Sequence, residues 1–345
     1  PRDIYSTLDT WNTGVRKGLV MKNNKGLYFS ACIAIIITSV LTGCKSQQQN
    51  LHEITLPMGY VANVQFSPLY VAKERGYFTD AGFDVTFDYR WETDGIQLVA
   101  AGKTPFSIAS GDQVIQARSK GLPVIAIASW YGEFPVAIIS QPDIPLNSPS
   151  DLENLSIGIP ETFGASYIGL RALLESGRLT ENDINLQVIG YSQLAMLTSE
   201  KVDAVVVYAN NEPVVLSAEN VDYNILHVAD HASIVSAVLI SSDNYIEENP
   251  EATAAFVSAF LKGVAEAADD LETAFEISKS YVEGLAENES VQFDVLQASA
   301  NIWQTSHLGI FSSQSWDAAQ SIMLQAGLIE QTVDIETLYT NEFIP

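Results

Sequence analysis

Cysteine is nearly absent from this chain. Only Cys32 and Cys44 occur in 345 residues. Cys32 lies inside an apolar run that begins near Leu27, and Cys44 closes that run. Beyond Cys44 there is no thiol to form a disulfide, hold zinc or attack a substrate. Stability of the main body must therefore come from packing. Basic residues are scarce as well. Of 17 basic and 42 acidic residues, five and two precede Cys44, which leaves 12 against 40 and a net of −28. Such a body repels nucleic acid and anionic membrane surfaces. Histidine is limited to His52, His227, His231 and His307. Only His227 and His231 have a metal-like spacing, and they straddle an expected strand end rather than a helix face, so no metal site is expected. There is no Gly-x-Ser-x-Gly elbow and no phosphate loop. Paired carboxylates are too abundant to be informative. These absences argue against most enzyme classes, and no cofactor is expected.

Long apolar stretches are also missing. The run before Cys44 covers about 15 residues, short of the ~20 needed for a permanent span. Lys22 and Lys25 precede it, and the polar spacer 45–50 follows it. A basic start, a short apolar stretch and small residues before a cut site make a secretory signal. Leu41-Thr42-Gly43-Cys44 resembles the lipobox of bacterial lipoproteins. That resemblance implies acylation of Cys44, a signal at 21–43, and an extracytoplasmic domain tethered by lipid. Met21 stands where such a signal should start, so residues 1–20 are expected to be upstream sequence and are set aside.

What remains is long enough for two domains of ordinary size. After a linker at 44–53, strand-like and helical patterns alternate. Strands are expected at 54–60, 83–89, 106–109, 124–129, 136–140, 156–159, 185–189, 204–208, 223–228 and 235–240. Helices are expected at 68–75, 95–101, 112–119, 164–176, 192–199 and 211–218, and then helices alone at 250–271, 272–283, 291–307 and 315–326. Alternation of this kind predicts an α/β body with parallel-type sheets covered on both faces. The series breaks at the proline-bearing loop 141–150, which suggests two lobes. Residues 54–138 with 238–345 would form one, carrying the helical tail, and 139–237 the other. Strands 136–140 and 235–240 would be a paired two-strand hinge. Ligands of such sheets bind beyond the carboxyl ends of strands, where two lobes would face each other.

Those strand ends supply the candidate residues. The first loop carries Tyr60, Asn63, Gln65 and Phe66, aromatics beside amides that can both donate and accept. Tyr70 is expected to be core. The second is Ser110-Gly111-Asp112, where backbone N–H groups could hold a carbonyl oxygen and Asp112 either binds or caps its helix. The third contains Phe163, Ser166 and Tyr167 at a helix start with small neighbours. Trp91, Trp130, Tyr131, Tyr208, Asn210 and Glu212 each follow an expected strand. Trp303 and Trp316 sit at helical spacing and are expected in the core.

Several of these segments together resemble one known family. The run Tyr60-Val-Ala-Asn63, then Pro68-Leu-Tyr-Val-Ala-Lys-Glu-Arg-Gly-Tyr-Phe78 and Ala81-Gly-Phe-Asp-Val85, looks like the opening of solute-binding proteins of ABC importers in the nitrate, sulfonate, taurine and thiamine-precursor superfamily. Ala100-Ala-Gly-Lys103, Ser150-Asp-Leu152, Ile157-Gly-Ile-Pro160 and Asn249-Pro-Glu251 extend the resemblance, which covers about 54–271. Segments 110–113 and 163–167 look closest to the branch that binds vitamin precursors. The resemblance implies a type II periplasmic-binding-protein fold and capture of a thiamine-type pyrimidine or riboflavin, with Asn63, Phe66, Trp91, Asp112, Tyr167 and Glu212 as contacts. It further implies permease and ATPase partners and a monomer. Two alternatives stay open. One is a sulfonate or nitrate binder, although the candidate loops are richer in aromatics than in arginine. The other is an enzyme of pyrimidine metabolism on the same fold. Synthases of that kind use a cysteine-rich motif that this body does not have.

Overall fold

The computed structural model describes residues 51–345. The expected upstream segment, the signal and Cys44 lie outside the described residues. Strand β1 (His52–Pro57) leads into helices α1 (Ser67–Glu74) and α2 (Tyr77–Asp80), then β2 (Phe83–Asp88), α3 (Glu92–Ala100), β3 (Ser107–Ser110), α4 (Gly111–Ser119) and β4 (Val124–Ser129). A second series follows: β5 (Val136–Ser140), β6 (Ser156–Ile159), α5 (Gly164–Ser176), β7 (Asn185–Val188), α6 (Gln193–Thr198), β8 (Ala204–Tyr208), α7 (Glu212–Ala218) and β9 (Asn224–His227). The chain then returns through β10 (Ala237–Ser242) and ends in α8 (Asp243–Glu248), α9 (Pro250–Asp269), α10 (Leu271–Ser278), α11 (Glu289–Trp303) and α12 (Ser313–Gln325).

Local chemistry explains these elements. Pro68 sits in the first turn of α1, where its fixed φ suits a helix and its missing N–H costs nothing. Gly76 follows that helix with φ of 76°, a left-handed turn that glycine adopts without strain. In β2, Phe83 and Val85 are buried while Asp84 and Thr86 face water, the period-2 signature of a half-covered strand. In α9, Phe256, Val257, Phe260, Val264 and Ala267 recur at helical spacing, and all are buried. That stripe packs on α1, and Gly263 lets the two helices approach closely. A Cβ there would sit 2.3 Å from the Pro68 carbonyl oxygen.

The strands form three sheets. β1 and β2 are parallel, with His52 opposite Phe83. β10 lies between β3 and β4 and runs antiparallel to both. The third sheet has the order β7-β6-β8-β5-β9, with β6 parallel to β7 and β8, and β5 antiparallel to β8 and β9. The expected parallel-type pairing is present in β1–β2 and around β6, while β5 and β10 run antiparallel to their neighbours. Strands 136–140 and 235–240 do not pair with each other. Each is embedded in its own sheet, and the chain crosses between sheets at residues 130–135 and 228–236. A crossing strand buried on both faces has the same continuous apolar run as a parallel strand, so the sequence could not separate them.

The helical tail also departs from expectation. α9 and α10 pack on α1, but α11 also reaches α7, and α12 lies against both α4 and α5. The tail therefore touches elements of both sheet systems. Asn210 donates to the Ser299 hydroxyl of α11 at 2.9 Å, and Gln325 donates to Glu175 at 3.0 Å. Trp303 and Trp316 are buried, as their spacing predicted, and so is Tyr70. Among the described residues, no helix is long and apolar enough to cross a membrane.

Candidate functional site

The carboxyl ends of strands from the different sheets converge on one cavity of about 460 Å³. Its first wall begins where β1 gives way to Met58, Gly59 and Tyr60. Gly59 has a φ of 81°, and a Cβ there would lie 2.8 Å from Glu92 Cγ, so glycine lets the turn rest on that side chain. Next, Asn63 Oδ1 accepts the Gln65 N–H at 2.9 Å and caps the short turn Val64–Phe66. The cap fixes the direction of Gln65 and Phe66, both of which line the cavity. The Phe66 ring stacks over Trp130 with centroids 6.1 Å apart and 14° between planes. Trp130 in turn stacks on Trp303 at 6.3 Å and 9°. Three layered rings make a stiff apolar wall. The Gln65 Nε2 and Trp130 Nε1 donors are buried without a hydrogen-bond partner among the described residues.

Glu92, the first residue of α3, lies at the junction of β3 and α4. Its Oε2 accepts from Ser110 twice, from the backbone N–H at 3.0 Å and from the hydroxyl at 2.6 Å. Burial and the nearby Asp112 carboxylate push the Glu92 carboxyl up to about 7, against the opposing pull of the Ser110 donors. The Asp112 carboxyl is also raised by burial. On the opposite wall, Glu212 Oε2 accepts the Tyr208 N–H at 3.0 Å, and burial raises its carboxyl too. Burial pushes the Tyr131 phenol up to about 12.

The five-stranded sheet supplies Glu161, Phe163, Gly164 and Ser166 after β6, Tyr191 and Gln193 after β7, Tyr208 at the end of β8 and Glu212 after it. At the mouth, Tyr191 meets Tyr60 edge-on and stacks on Trp91 at 6.5 Å and 17°. Trp91, Phe163 and Tyr191 are each more than half exposed, which makes an apolar rim around the opening. Among the lining residues there is no lysine, arginine or histidine, while Glu92, Glu161 and Glu212 bring three carboxyls. Among the described residues, no group of three or more His, Cys, Asp or Glu side chains could hold a metal ion.

The structure brings Tyr60, Gln65, Phe66, Trp91, Ser110, Trp130, Tyr131, Phe163, Ser166, Tyr208 and Glu212 to this one cavity. It keeps four other expected residues off the wall. Asn63 is spent on its cap. Asp112 is buried behind Ser110, where its Oδ2 accepts from Gln113 Nε2 at 3.1 Å. Tyr167 turns away along α5 and donates to Glu181, to which Arg171 also donates at 2.7 Å. Asn210 points to α11 instead. Sequence reasoning missed Glu92, Gln113, Glu161, Tyr191 and Gln193. Tyr191 directly follows a strand and its glycine, so the same strand-end rule would have found it. Glu92 and Glu161 were hidden by the abundance of acidic residues.

The family described as NMT1/THI5 like matches residues 63–274. The chain is 37% identical to a riboflavin-binding protein, RibY, of Chloroflexus aurantiacus, over 86% of this chain and 88% of the relative. It is 33% identical to a formylaminopyrimidine-binding protein of Halalkalibacterium halodurans, over 68% of this chain and 72% of that one. In fold it is similar to the solved structure of a putative periplasmic sulfonate-binding protein, SsuA, of Methylobacillus flagellatus, with a TM-score of 0.67 at 17% identity. That likeness covers 86% of this chain and 93% of the other.

Proposed function

The chain belongs to the NMT1/THI5-like family, and on that premise we propose that it is the substrate-binding component of an ABC importer that captures a flat heteroaromatic vitamin or vitamin precursor. The observation that carries this reading is the cavity wall itself. Phe66 and Trp130, backed by Trp303, offer an apolar wall to a planar ring. Gln65 and Trp130, whose buried donors have no partner, and the acidic Glu92 and Glu212 all line the same cavity, where the polar edge of such a ring would lie. The names of the two curated relatives, one for a flavin and one for a formylaminopyrimidine, support a ligand of this class.

Binding rather than turnover is favoured by the lining. It holds no histidine, cysteine or lysine, and although the Glu92 carboxyl lies at about 7, its Oε2 is already held by the two Ser110 donors. The lack of any cationic side chain also speaks against a sulfonate or nitrate ligand. In this reading residues 54–138 with 238–345 form one lobe and 139–237 the other. The two crossings at 130–135 and 228–236 act as the hinge, and closure buries the ring. The Cys44 lipid holds the body at the outer face of a membrane, where it delivers ligand to a permease and its ATPase.

A thermal-shift series with riboflavin, a formylaminopyrimidine and a hydroxymethylpyrimidine tests the reading. A ligand present at ~100 times its dissociation constant stabilises by ~2.7 kcal/mol. The bound ligand is then released and identified by mass spectrometry. Chemically intact ligand supports capture. A converted ring would establish an enzyme, and no shift with any of the three would remove the heteroaromatic class.

A further inference from the structure

Three acidic side chains from three different elements surround the cavity. Glu92 opens α3, Glu161 lies in the loop after β6, and Glu212 opens α7. No lysine, arginine or histidine stands among the lining residues to offset them. The backbone donors that could otherwise hold an anion at these strand ends are already taken by the protein. The Ser110 N–H and hydroxyl are filled by Glu92, and the Tyr208 N–H by Glu212. What remains unpaired is neutral: Gln65 Nε2 and Trp130 Nε1. The start of α5 has no side-chain cap and could receive a carbonyl oxygen, but Glu161 sits three residues before it. One helix end, carrying about half a positive charge, is outweighed by Glu161 and Glu212.

We propose that the cavity rejects ligands carrying a phosphate or another anionic group, and that Glu161 and Glu212 set this selection. The inference rests on the proposed function and deepens it. The ligand is the free ring compound with its neutral side arm, not the phosphate ester. A phosphate ester brings about −1.5 to −2 charges at neutral pH. Set among like charges in a partly desolvated cavity, it is repelled, and like-charge juxtaposition of this kind costs several kcal/mol.

The test uses matched pairs on the purified full body. Riboflavin and its 5′-phosphate are titrated by flavin fluorescence quenching, and a hydroxymethylpyrimidine and its phosphate by calorimetry, all at low salt. The phosphate of each pair is expected to bind at least about tenfold more weakly. That gap should narrow in Glu161→Gln with Glu212→Gln, and should narrow in the wild type as salt rises. Equal or tighter binding of the phosphates overturns the inference while leaving the proposed function standing. An unchanged gap in the Gln variants also overturns it, because the rejection would then be steric. If neither member of either pair binds, the proposed function fails and the inference falls with it.

Discussion

Tyr191 and Tyr60 meet edge-on across the cavity mouth, with ring centroids 5.8 Å apart and 64° between planes. Tyr60 follows a strand of the two-stranded sheet, and Tyr191 follows a strand of the five-stranded one. The contact therefore joins the two walls where a ligand would enter. Trp91 stacks on the same Tyr191 ring from the first wall. Aromatic pairs of this kind contribute about 0.5–1.5 kcal/mol beyond area burial. Tyr191→Ala should therefore speed ligand release by about two- to tenfold, while Tyr191→Phe should leave it near wild type. Tyr191 is 58% exposed, so the melting temperature should barely change. Stopped-flow displacement of bound riboflavin reads the effect; unchanged release in Tyr191→Ala would exclude a closing role for the pair.

Gln65 should show opposite effects on stability and on binding. Its Nε2 is buried without a partner, which costs the empty protein about 1–3 kcal/mol. Gln65→Leu removes that unpaired donor, so the ligand-free protein should be as stable as wild type or more so. Ligand affinity should fall, because Gln65 lines the cavity and its amide would no longer be there to meet the ring. Urea unfolding and a ligand titration on the same preparation check both signs. Lower stability with unchanged affinity would place Gln65 among purely structural residues.

The pH dependence of stability follows from Glu92, whose carboxyl is raised from 4.5 to about 7 by burial and by Asp112. Below pH 4.5 the folded and unfolded chains both carry the proton. Between 4.5 and about 7 only the folded chain keeps it, so this stabilising contribution is lost as pH rises through that window. The loss is at most about 3 kcal/mol. Asp112 and Glu212 are shifted in the same direction and add to the slope. Glu92→Gln keeps an acceptor for Ser110 and should flatten the decline. Urea midpoints at pH 5 and pH 8 measure it, and a wild type that gains stability toward pH 8 would refute the assignment.

Gly263 is the tightest point between α9 and α1. A methyl group there would meet the Pro68 carbonyl oxygen at 2.3 Å and Ala72 Cβ at 2.7 Å. Gly263→Ala gains up to about 1 kcal/mol of helix propensity, but forcing the helices apart costs about 1–3 kcal/mol. The balance should be a modest loss of stability, seen as a lower urea midpoint. A more stable variant would mean that the helix pair can relax around the added methyl group.

Much of the element order could be read from the chain. Strands 124–129, 136–140, 156–159 and 204–208 fall where their apolar runs predicted, and α5 runs from Gly164 to Ser176 as its pattern implied. The short helices α2 and α8 were not anticipated, because Tyr77–Asp80 and Asp243–Glu248 are too short to show a helical period. Tyr167 was expected at the ligand, yet it lies one residue past Ser166. On a helix one residue means a rotation of about 100°, enough to carry its phenol to Glu181. Asp112 followed Ser110 into the expected site, but Glu92 from a distant element took the Ser110 donors instead.

Sequence alone determined the alternation of strands and helices, because side-chain periodicity is a local property that each segment carries with it. It also determined the shortage of positive charge and the strand-end loops rich in aromatic and amide groups. Only the tertiary structure decided which strands share a sheet, which way β5 and β10 run, and that Glu92, Glu161 and Tyr191 face one cavity. Those outcomes depend on contacts between residues far apart in the chain, and a carboxylate gains its meaning only from the groups that surround it in space.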